Sequence, residues 1–214
     1  MIKAIIFDFD GVILDSTDIK TNAFKNIFKK KYSKQLPQIL EHHHNHLGIS
    51  RSNKLKIYFE KIIEIKLSNN QLIKYTNIFS SYCINRILRC KFIPGAKKFI
   101  LNNYINYDFF ISSGTPTKEL RYICNKRKID KYFKEIYGSP QKKTTHIKRI
   151  MKKHKLKPNE IIFIGDGYSD YQAANFTSLF FVGINFKKNL NIEDRILIKD
   201  LSKLNNVLEN RKYE

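Results

Sequence analysis

The sequence has few cysteines and no long apolar run among its 214 residues. No segment approaches the roughly 20 apolar residues that cross a bilayer, so we expect no membrane-spanning helix. Cys83, Cys90 and Cys124 form no close Cys-x-x-Cys pair, which favours reduced thiols in a cytoplasmic protein. The apolar segment that precedes Asp8 is too short for a secretory signal, and the sequence shows no internal repeat.

Acidic residues are also scarce, with 19 aspartates and glutamates against 40 lysines and arginines and a net charge of +21. Such a charge is typical of nucleic-acid-binding proteins. The lysine pairs, however, are scattered along the chain, as at Lys29–Lys30 and Lys152–Lys153, and abundant lysine, asparagine and isoleucine is what AT-rich codon usage produces. The composition therefore disfavours nucleic acid as the partner, while the charge should attract anionic substrates to a cleft.

The apolar fraction of 42% is enough for one packed core with a smaller appended unit. Short apolar runs alternate with segments of helical period, a pattern that predicts parallel β-α-β units. The predicted fold class is α/β, with a doubly wound, Rossmann-like parallel sheet. The predicted strands span residues 3–7, 107–112, 135–137, 160–165, 179–183 and 195–198, and a closing helix begins at Leu201.

Residues 16–90 interrupt this alternation. Three successive stretches have apolar side chains at helical spacing, the first from Ile19 to Phe28, and no strand pattern separates them. We therefore predict an α-helical cap domain over residues 16–90, inserted into an α/β core domain of residues 1–15 and 91–214. An insertion after the first strand lies over the carboxyl end of that strand, where open α/β sheets bind ligands.

Two carboxylates stand at the end of the first apolar run. Asp8 and Asp10 are separated by one residue and followed by Gly11. Residues i and i+2 of an extended segment project to the same side, so both carboxylates can face one point. Two like charges held this close are unfavourable unless a cation or a shared proton relieves the repulsion. The pair therefore indicates a site of chemistry.

Hydroxyl, glycine and lysine residues follow two other predicted strands. Ser112, Ser113 and Gly114 end the second strand, and their hydroxyl and backbone N–H groups suit phosphate oxygens at the start of a helix. Ser112 by itself is also a common type of helix N-cap. Lys142 and Lys143 follow the next strand, where either can neutralise an anion or lie solvated at the surface.

A second acidic pair follows the strand predicted at residues 160–165. Asp166 and Asp170 are four residues apart, which places both on one face if a helix begins there. Asp170 can alternatively cap that helix or form an ion pair within it. All these segments come at strand ends, as one shared site would require.

This ordered set of motifs resembles the haloacid dehalogenase-like superfamily, in the subgroup with an α-helical cap after the first strand. A lone Asp-x-Asp would be weak evidence, whereas the ordered set, each motif at the expected strand end, is specific. The resemblance spans nearly the whole chain. The motifs that carry it are Asp8-x-Asp10, Ser112, a following lysine, and Gly165-Asp166-x-x-x-Asp170.

The resemblance implies a role for each motif. Asp8 is the expected nucleophile, which forms an aspartyl-phosphate, and Asp10 is the expected general acid and then base. Mg²⁺, a hard cation that prefers oxygen ligands, is the implied cofactor. Its expected ligands are Asp8, the carbonyl of Asp10, Asp166, and Asp170 directly or through water. The expected contacts of the phosphate are Ser112, Ser113, Gly114 and Lys143, the last favoured over Lys142 by the related spacing Gly-Ser-Pro-x-x-Lys.

The predicted cap contains the residues expected to select the substrate. Gly48, Ser50 and Arg51 resemble the specificity loop of capped sugar-phosphate enzymes, in which the arginine binds an anionic part of the substrate that is not transferred. The alternative for Arg51 is a surface position near a turn. The histidines of residues 42–46 face the cleft or lie on a solvated helix, with a metal site as the less favoured alternative. Lys20 stands where a phosphomutase of this family has a histidine, which favours a phosphatase.

The resemblance therefore implies a Mg²⁺-dependent phosphatase that hydrolyses a small phosphomonoester, of the sugar phosphate or phosphoglycolate type. Asp10 favours phosphate esters over haloacids, because an alkoxide leaving group needs a proton and a halide does not. One alternative is a phosphomutase of the β-phosphoglucomutase type. The other is a non-catalytic, basic nucleic-acid-binding protein on the same scaffold. The sequence indicates neither the substrate nor an oligomeric state.

Overall fold

The computed structural model of this chain describes residues 1–185 and 195–210. Six strands in these ranges form one sheet in which every pair is parallel. The strands are β1 (Ala4–Phe7), β2 (Asp108–Pro116), β3 (Glu135–Ser139), β4 (Ile161–Gly165), β5 (Phe180–Ile184) and β6 (Arg195–Ile198). Their order across the sheet is β3-β2-β1-β4-β5-β6, which is that of a doubly wound α/β sheet. The predicted fold class is confirmed.

The central strand β1 is buried on both faces of the sheet, as parallel strands usually are. Ile5 and Phe7 pack into the larger hydrophobic core, while Ala4 and Ile6 pack into the smaller core on the opposite face. A shift of β1 by one residue would exchange these two sets. The packing therefore fixes the register of β1 and, with it, the position of Asp8 directly after the strand.

Four helices follow β1 with no strand between them, in the segment predicted to be helical. A π-helical turn, Tyr58–Ile62, continues the third of them. Phe24, Tyr58 and Phe79 pack together inside this segment, with ring centroids of Phe24 5.2 and 4.6 Å from those of Tyr58 and Phe79. The helices of the described chain are α1 (Thr17–Phe28), α2 (Leu36–Asn45), α3 (Arg51–Ile57), α4 (Asn69–Ile87), α5 (Ala96–Asn103), α6 (Thr117–Lys126), α7 (Lys143–His154), α8 (Tyr168–Phe176) and α9 (Leu204–Asn210). Of the range predicted as core, residues 186–194 and 211–214 lie outside the described residues.

The ends of two elements differ from the prediction. β2 continues to Pro116 instead of ending at Ser112, and α6 begins only at Thr117. The pairing of β2 with β3 shifts between Ser112 and Pro116, and a proline disfavours the helical conformation in the residue before it. The hydroxyl-rich end of β2 is therefore extended and is not a helix N-terminus. Likewise α8 begins at Tyr168, so Asp166 lies in the turn before that helix and not on its face.

The three cysteines are free thiols, as predicted. Burial raises the pKa of both Cys83 and Cys124 to about 12, so these thiols stay protonated and unreactive. Among the described residues, no helix combines the length and the apolar character that crossing a bilayer requires.

Candidate active site

The acidic residues that follow β1 and β4 meet at the carboxyl end of the sheet. Asp8, Asp166 and Asp170 each offer one oxygen that lies within 4.8 Å of the other two. β1 and β4 are neighbours in register, with Phe7 opposite Ile164, so the residues that follow the two strands emerge side by side. Asp8 and Asp170 are 2% and 0% exposed. The structure thus gathers three carboxylates in a largely buried cluster, called the acidic trio below.

The acidic trio fits a divalent cation. Oδ1 of Asp166 is buried and has no hydrogen-bond partner among the described residues. Burial, together with the charges of Asp8 and Asp170, raises the pKa of Asp166 well above its ordinary value. Carboxylate oxygens are the ligands that Mg²⁺ prefers, and its charge would relieve the repulsion within the trio. The donor set therefore suits Mg²⁺.

Lys143, at the start of α7, reaches into the acidic trio. Its Nζ lies 3.1 Å from Oδ2 of Asp8 and forms a second, shorter ion pair with Oδ1 of Asp170. Burial alone lowers the pKa of Lys143, but the charges of Asp170 and Asp8 outweigh burial and raise it. Lys142 is exposed. Of the two lysines that the sequence left open, the structure places Lys143 next to Asp8.

Asp170 has partners for both of its carboxylate oxygens. Oδ1 pairs with Lys143, and Oδ2 accepts a hydrogen bond from the backbone N–H of Gly167 at 3.1 Å. The second contact caps the first turn of α8. Asp170 therefore combines the capping and ion-pairing roles with its place in the acidic trio.

Asp10 accepts hydrogen bonds from four donors outside the acidic trio, one of them the hydroxyl of Ser113 at 3.5 Å from Oδ2. Its Oδ1 accepts a hydrogen bond from Ser16 at 2.6 Å, and its Oδ2 accepts one from Thr115 at 2.9 Å and another from Lys20. Nζ of Lys20 also donates to Thr115 at 2.9 Å. Burial alone raises the pKa of Asp10, but Lys20 and the hydroxyls of Ser16 and Thr115 outweigh burial and lower it. Asp10 is therefore an ionised carboxylate in this conformation.

A cavity lies over Asp8, between the carboxyl edge of the sheet and the helices α1 to α4. Charged side chains from both sides line it, so the cavity suits a small polar ligand more than an apolar one. The lining residues with a polar or glycine character are Asp8, Asp10, Thr17, Lys20, His43, Gly48, Arg51, Lys54, Ser113, Gly114 and Asp166.

The three residues at the end of β2 have different surroundings. Ser113 and Gly114 line the cavity. Ser112 is fully buried, and its hydroxyl is hydrogen-bonded to Nδ1 of His146 on α7 at 2.9 Å. In the described structure Ser112 does not line the cavity, so its phosphate contact stays a prediction.

The loop before α3 packs directly on the sheet edge. Gly48 has a φ of +84°, and a Cβ at this position would lie 2.2 Å from Oγ of Ser169. A Cβ at Gly114 would lie 2.6 Å from the carbonyl oxygen of Gly48. Ser169 donates a hydrogen bond to the carbonyl of Leu47 at 2.7 Å, and Ser50 caps α3. Only glycine at 48 and 114 permits this close approach, which places the loop over the site.

Arg51 lines the cavity, but its guanidinium group forms an ion pair with Glu119 on α6. Nη1 and Nη2 donate to Oε2 and Oε1 of Glu119 at 2.9 and 2.6 Å. Nη1 also donates to Ser80, and the guanidinium carbon lies 4.8 Å from the centroid of the Phe79 ring. This bidentate pair joins the helical segment to the side of the sheet and neutralises Arg51 within the protein.

Lys54 and His43 form a buried polar pair at the far side of the cavity. Nζ of Lys54 donates to Nδ1 of His43 at 2.7 Å and to the carbonyl of His43 at 3.2 Å. Nε2 of His43 lies 3.1 Å from Oγ1 of Thr21. Burial is the main cause that lowers the pKa of Lys54 to about 7 and that of His43 to about 2. The imidazole is therefore neutral.

The other histidines of residues 42–46 pack on each other. The rings of His42 and His46 stack with centroids 4.0 Å apart. Nδ1 of His46 lies 2.9 Å from the carbonyl oxygen of His42. Within residues 1–185 and 195–210, the acidic trio is the group of three His, Cys, Asp or Glu side chains placed to hold an ion. His43 is the member of the segment that lines the cavity.

Residues 5–184 match the family model described as haloacid dehalogenase-like hydrolase. The chain belongs to this family. Its structure is similar to that of a haloacid dehalogenase-like family protein from Streptococcus pneumoniae, at 22% identity and a TM-score of 0.74 over 97% of this chain and 98% of that chain. A search of curated protein sequences gave no match.

Two further solved structures have the same fold. A predicted phosphoglycolate phosphatase from Haemophilus somnus is 20% identical, with a TM-score of 0.74 over 97% of this chain and 98% of that chain. The β-phosphoglucomutase of Clostridium difficile is 21% identical, with a TM-score of 0.76 over 100% of this chain and 97% of that chain. At these identities the likeness shows the haloacid dehalogenase-like fold.

Sequence reasoning missed several polar residues of this haloacid dehalogenase-like hydrolase. It noted Lys20 only as a departure from a pattern and His43 only as one member of the histidine segment 42–46, and it did not single out Thr115, Lys54 or Glu119. One signal was present for Lys54, which shares a helical face with Arg51 at i−3 and Tyr58 at i+4. Both of these side chains are buried.

Proposed function

We propose that this chain is a Mg²⁺-dependent phosphatase that hydrolyses a small phosphomonoester through an aspartyl-phosphate on Asp8. A sugar phosphate or a phosphoglycolate is the type of substrate that we propose. The main support for the proposal is the acidic trio. Lys143 forms an ion pair with Asp8, and one buried oxygen of Asp166 has no hydrogen-bond partner among the described residues. The main requirement of phosphoryl transfer is positive charge next to the oxygens of the phosphoryl group.

Asp8 suits the role of nucleophile. Its Oδ1 accepts a hydrogen bond from the backbone N–H of Phe9 at 2.7 Å, and its Oδ2 faces Lys143. These contacts hold the carboxylate in one orientation. Attack of a carboxylate oxygen on phosphorus forms the aspartyl-phosphate and breaks the bond to the leaving oxygen, and water then cleaves the new bond to release phosphate. Lys143 can balance the charge of the phosphoryl oxygens during both steps.

Asp10 suits the transfer of the proton. Because Lys20, Ser16 and Thr115 keep it ionised, it has the form required of the base that activates water in the second step. The proton that it takes from water is then available to the leaving oxygen of the next substrate molecule. Asp8, Asp166, the carbonyl of Asp10 and Asp170, directly or through water, would hold Mg²⁺, which would supply electrostatic stabilisation of the negative charge.

We also propose that residues 16–90 form a cap domain on a core domain of residues 1–15 and 91–214. In the described chain, the run of four helices α1 to α4 follows β1 with no strand among them, which supports the division. The Arg51–Glu119 ion pair and the hydrogen bond from Ser169 to Leu47 are among the contacts that hold the two parts together. A closed cap excludes bulk water from the site, which strengthens the electrostatic interactions inside it.

The test is phosphate release from a panel of phosphorylated metabolites and p-nitrophenyl phosphate, with and without MgCl₂. We expect Mg²⁺-dependent release by the wild type and its loss in the Asp8→Asn variant, because the amide cannot form the acyl phosphate. Asp15→Asn, at an exposed position, is the matched control and should keep full activity. Activity of Asp8→Asn comparable to the wild type would refute the covalent role. Interconversion of sugar phosphate isomers with little free phosphate would instead identify a phosphomutase.

A further inference from the structure

The cations that line the cavity differ in how their charges are balanced. Lys20 pairs with Asp10, and Arg51 pairs with Glu119. Lys54 is 2% exposed and has no acidic partner among the described residues; its two acceptors are neutral atoms of His43. A buried ammonium without an anion is unfavourable. Lys54 thus carries a positive charge that the protein itself leaves unbalanced.

From this arrangement we infer that Lys54 is a specificity-determining residue, which binds a second anionic group on the part of the substrate that is not transferred. The assignment rests on the proposed function, because it requires the phosphoryl group to lie at Asp8. Lys54 and Asp8 line the same cavity, one from the helical segment and the other from the end of β1. A phosphomonoester whose phosphoryl group lies at Asp8 therefore has its remainder in the cavity that Lys54 lines.

The hydrogen bonds of Lys54 leave one donor for such a ligand. An ammonium has three N–H groups, and two of them are directed to Nδ1 and the carbonyl oxygen of His43. No third acceptor exists among the described residues. An anionic group in the cavity would accept the remaining N–H and form a charge-assisted hydrogen bond.

His43 is the positioning residue for Lys54. Its neutral ring accepts from Lys54 through Nδ1, which leaves the proton on Nε2 to be donated to Thr21. Thr21 in turn donates to the carbonyl of Thr17 on α1. The ring of His43 also lies against Phe24, with centroids 5.0 Å apart. This chain of contacts fixes the tautomer and holds Nζ of Lys54 in one place.

The electrostatic surroundings agree with an anionic ligand. The charged groups that act on Lys54 are Lys20 from α1, which lowers its pKa, and Asp166 after β4, which raises it. His43 from α2 is neutral. Burial outweighs Asp166 and leaves the pKa at about 7, so an anion that binds beside Lys54 should keep the ammonium protonated.

Arg51 is the other cation that sequence analysis assigned to an anionic substrate group. In this structure its guanidinium is bidentate to Glu119 and donates to Ser80 as well. An anion that bound Arg51 would have to displace Glu119, whereas an anion that bound Lys54 would displace no charged partner. Lys54 is therefore the better placed of the two.

The test compares substrates that differ only in the second anion. 2-Phosphoglycolate and 2-hydroxyethyl phosphate have the same length, and the first has a carboxylate where the second has an alcohol. A sugar bisphosphate and its monophosphate provide the same comparison for a second phosphate. We expect the wild type to prefer the substrate with the anionic tail in one of the two comparisons, and that comparison identifies whether the group is a carboxylate or a phosphate.

Lys54→Met should lower kcat/KM for the preferred substrate by about 10- to 100-fold, the effect of one lost charge-assisted hydrogen bond. Its effect on p-nitrophenyl phosphate, which has no second anion, should stay within about threefold. Lys56→Met, on the exposed face of the same helix, should leave both substrates unchanged. His43→Phe, which keeps an aromatic ring against Phe24, should raise KM for the preferred substrate and leave kcat nearly unchanged.

Two results would overturn the assignment and leave the proposed function intact. One is a wild-type enzyme that hydrolyses p-nitrophenyl phosphate but prefers neither anionic tail. The other is an equal loss on all substrates in Lys54→Met and also in Lys54→Gln, which would make Lys54 a structural residue. If the wild type hydrolyses no phosphomonoester at all, the proposed function itself is wrong.

Discussion

The Arg51–Glu119 ion pair allows a sharp test of how burial changes the contribution of a charge pair to stability. The chain contains a comparison pair, Lys3–Glu160, in which a lysine contacts one carboxylate oxygen in place of the bidentate arginine. The shortest N···O distance is 2.6 Å in both pairs. The side chains of Arg51 and Glu119 are 4% and 9% exposed, whereas those of Lys3 and Glu160 are 62% and 15% exposed. Distance alone predicts equal contributions, and burial predicts unequal ones.

The expected magnitudes follow from what each substitution leaves behind. Glu119→Ala leaves the Arg51 guanidinium buried without an anion, which should lower the free energy of unfolding by about 3–5 kcal/mol. Glu160→Ala breaks a pair with a solvated lysine and a hydrogen bond from the backbone N–H of Lys157, and it should lower the free energy of unfolding far less than Glu119→Ala does. Replacing both partners, as in Arg51→Met with Glu119→Leu, should restore most of the loss, because a buried ion pair is often no more stabilising than apolar side chains of similar size.

Urea unfolding followed by far-UV circular dichroism measures these differences, since the chain has no tryptophan to serve as a fluorescence probe. With a slope of about 2 kcal/mol per molar urea, Glu119→Ala should lower the midpoint by roughly 1.5–2.5 M. Glu160→Ala should lower it far less. Equal shifts in the two variants, or a double variant no more stable than Glu119→Ala, would show that burial does not control the contribution of this pair.

Three further predictions address the site. Asp10→Ala should reduce turnover less for p-nitrophenyl phosphate than for alkyl phosphates, because a good leaving group needs no proton; equal losses would argue against the acid role. Asp166→Asn should raise the melting temperature without metal, since it removes one charge of the acidic trio, and should abolish stabilisation by MgCl₂; stabilisation equal to that of the wild type would exclude Asp166 as a ligand. The pKa of Lys54 is lowered to about 7, so above that pH the unfolded chain binds more protons than the folded chain. The free energy of unfolding of the wild type, compared with that of Lys54→Met, should therefore rise by about 2 kcal/mol between pH 7 and pH 9. A constant difference in urea unfolding at the two pH values would contradict the lowered pKa.

The strands were predictable because buried parallel strands leave a simple trace in sequence. β1 and β4 face hydrophobic cores on both sides, so each reads as an unbroken apolar run that stops at the aspartate. The end of β2 was not predictable in the same way. Ser-Ser-Gly-Thr-Pro is a weak strand sequence, and its extended form depends on the shifted pairing with β3, which periodicity does not report.

The convergence of Asp8, Asp166 and Asp170 was predictable for a topological reason. Each follows a strand, and parallel strands end at one edge of the sheet. The partners of Arg51 and Lys54 were not predictable, because Glu119 and His43 lie on other helices. The relative position of helices is set by side-chain packing, which a single sequence does not encode as a pattern.

The site residues at the sheet edge and those on the helices α2 and α3 have different proposed roles. In the proposed function, Asp8, Asp166 and Lys143 at the sheet edge would act on the phosphoryl group, which every substrate shares. Lys54 on α3, positioned by His43 on α2, would contact the remainder of the substrate, which differs from one metabolite to another. Substitutions at Asp8, Asp166 and Lys143 should therefore lower kcat for all substrates alike. Substitutions at Lys54 and His43 should change the ranking of substrates, because they remove an interaction that only an anionic tail can make.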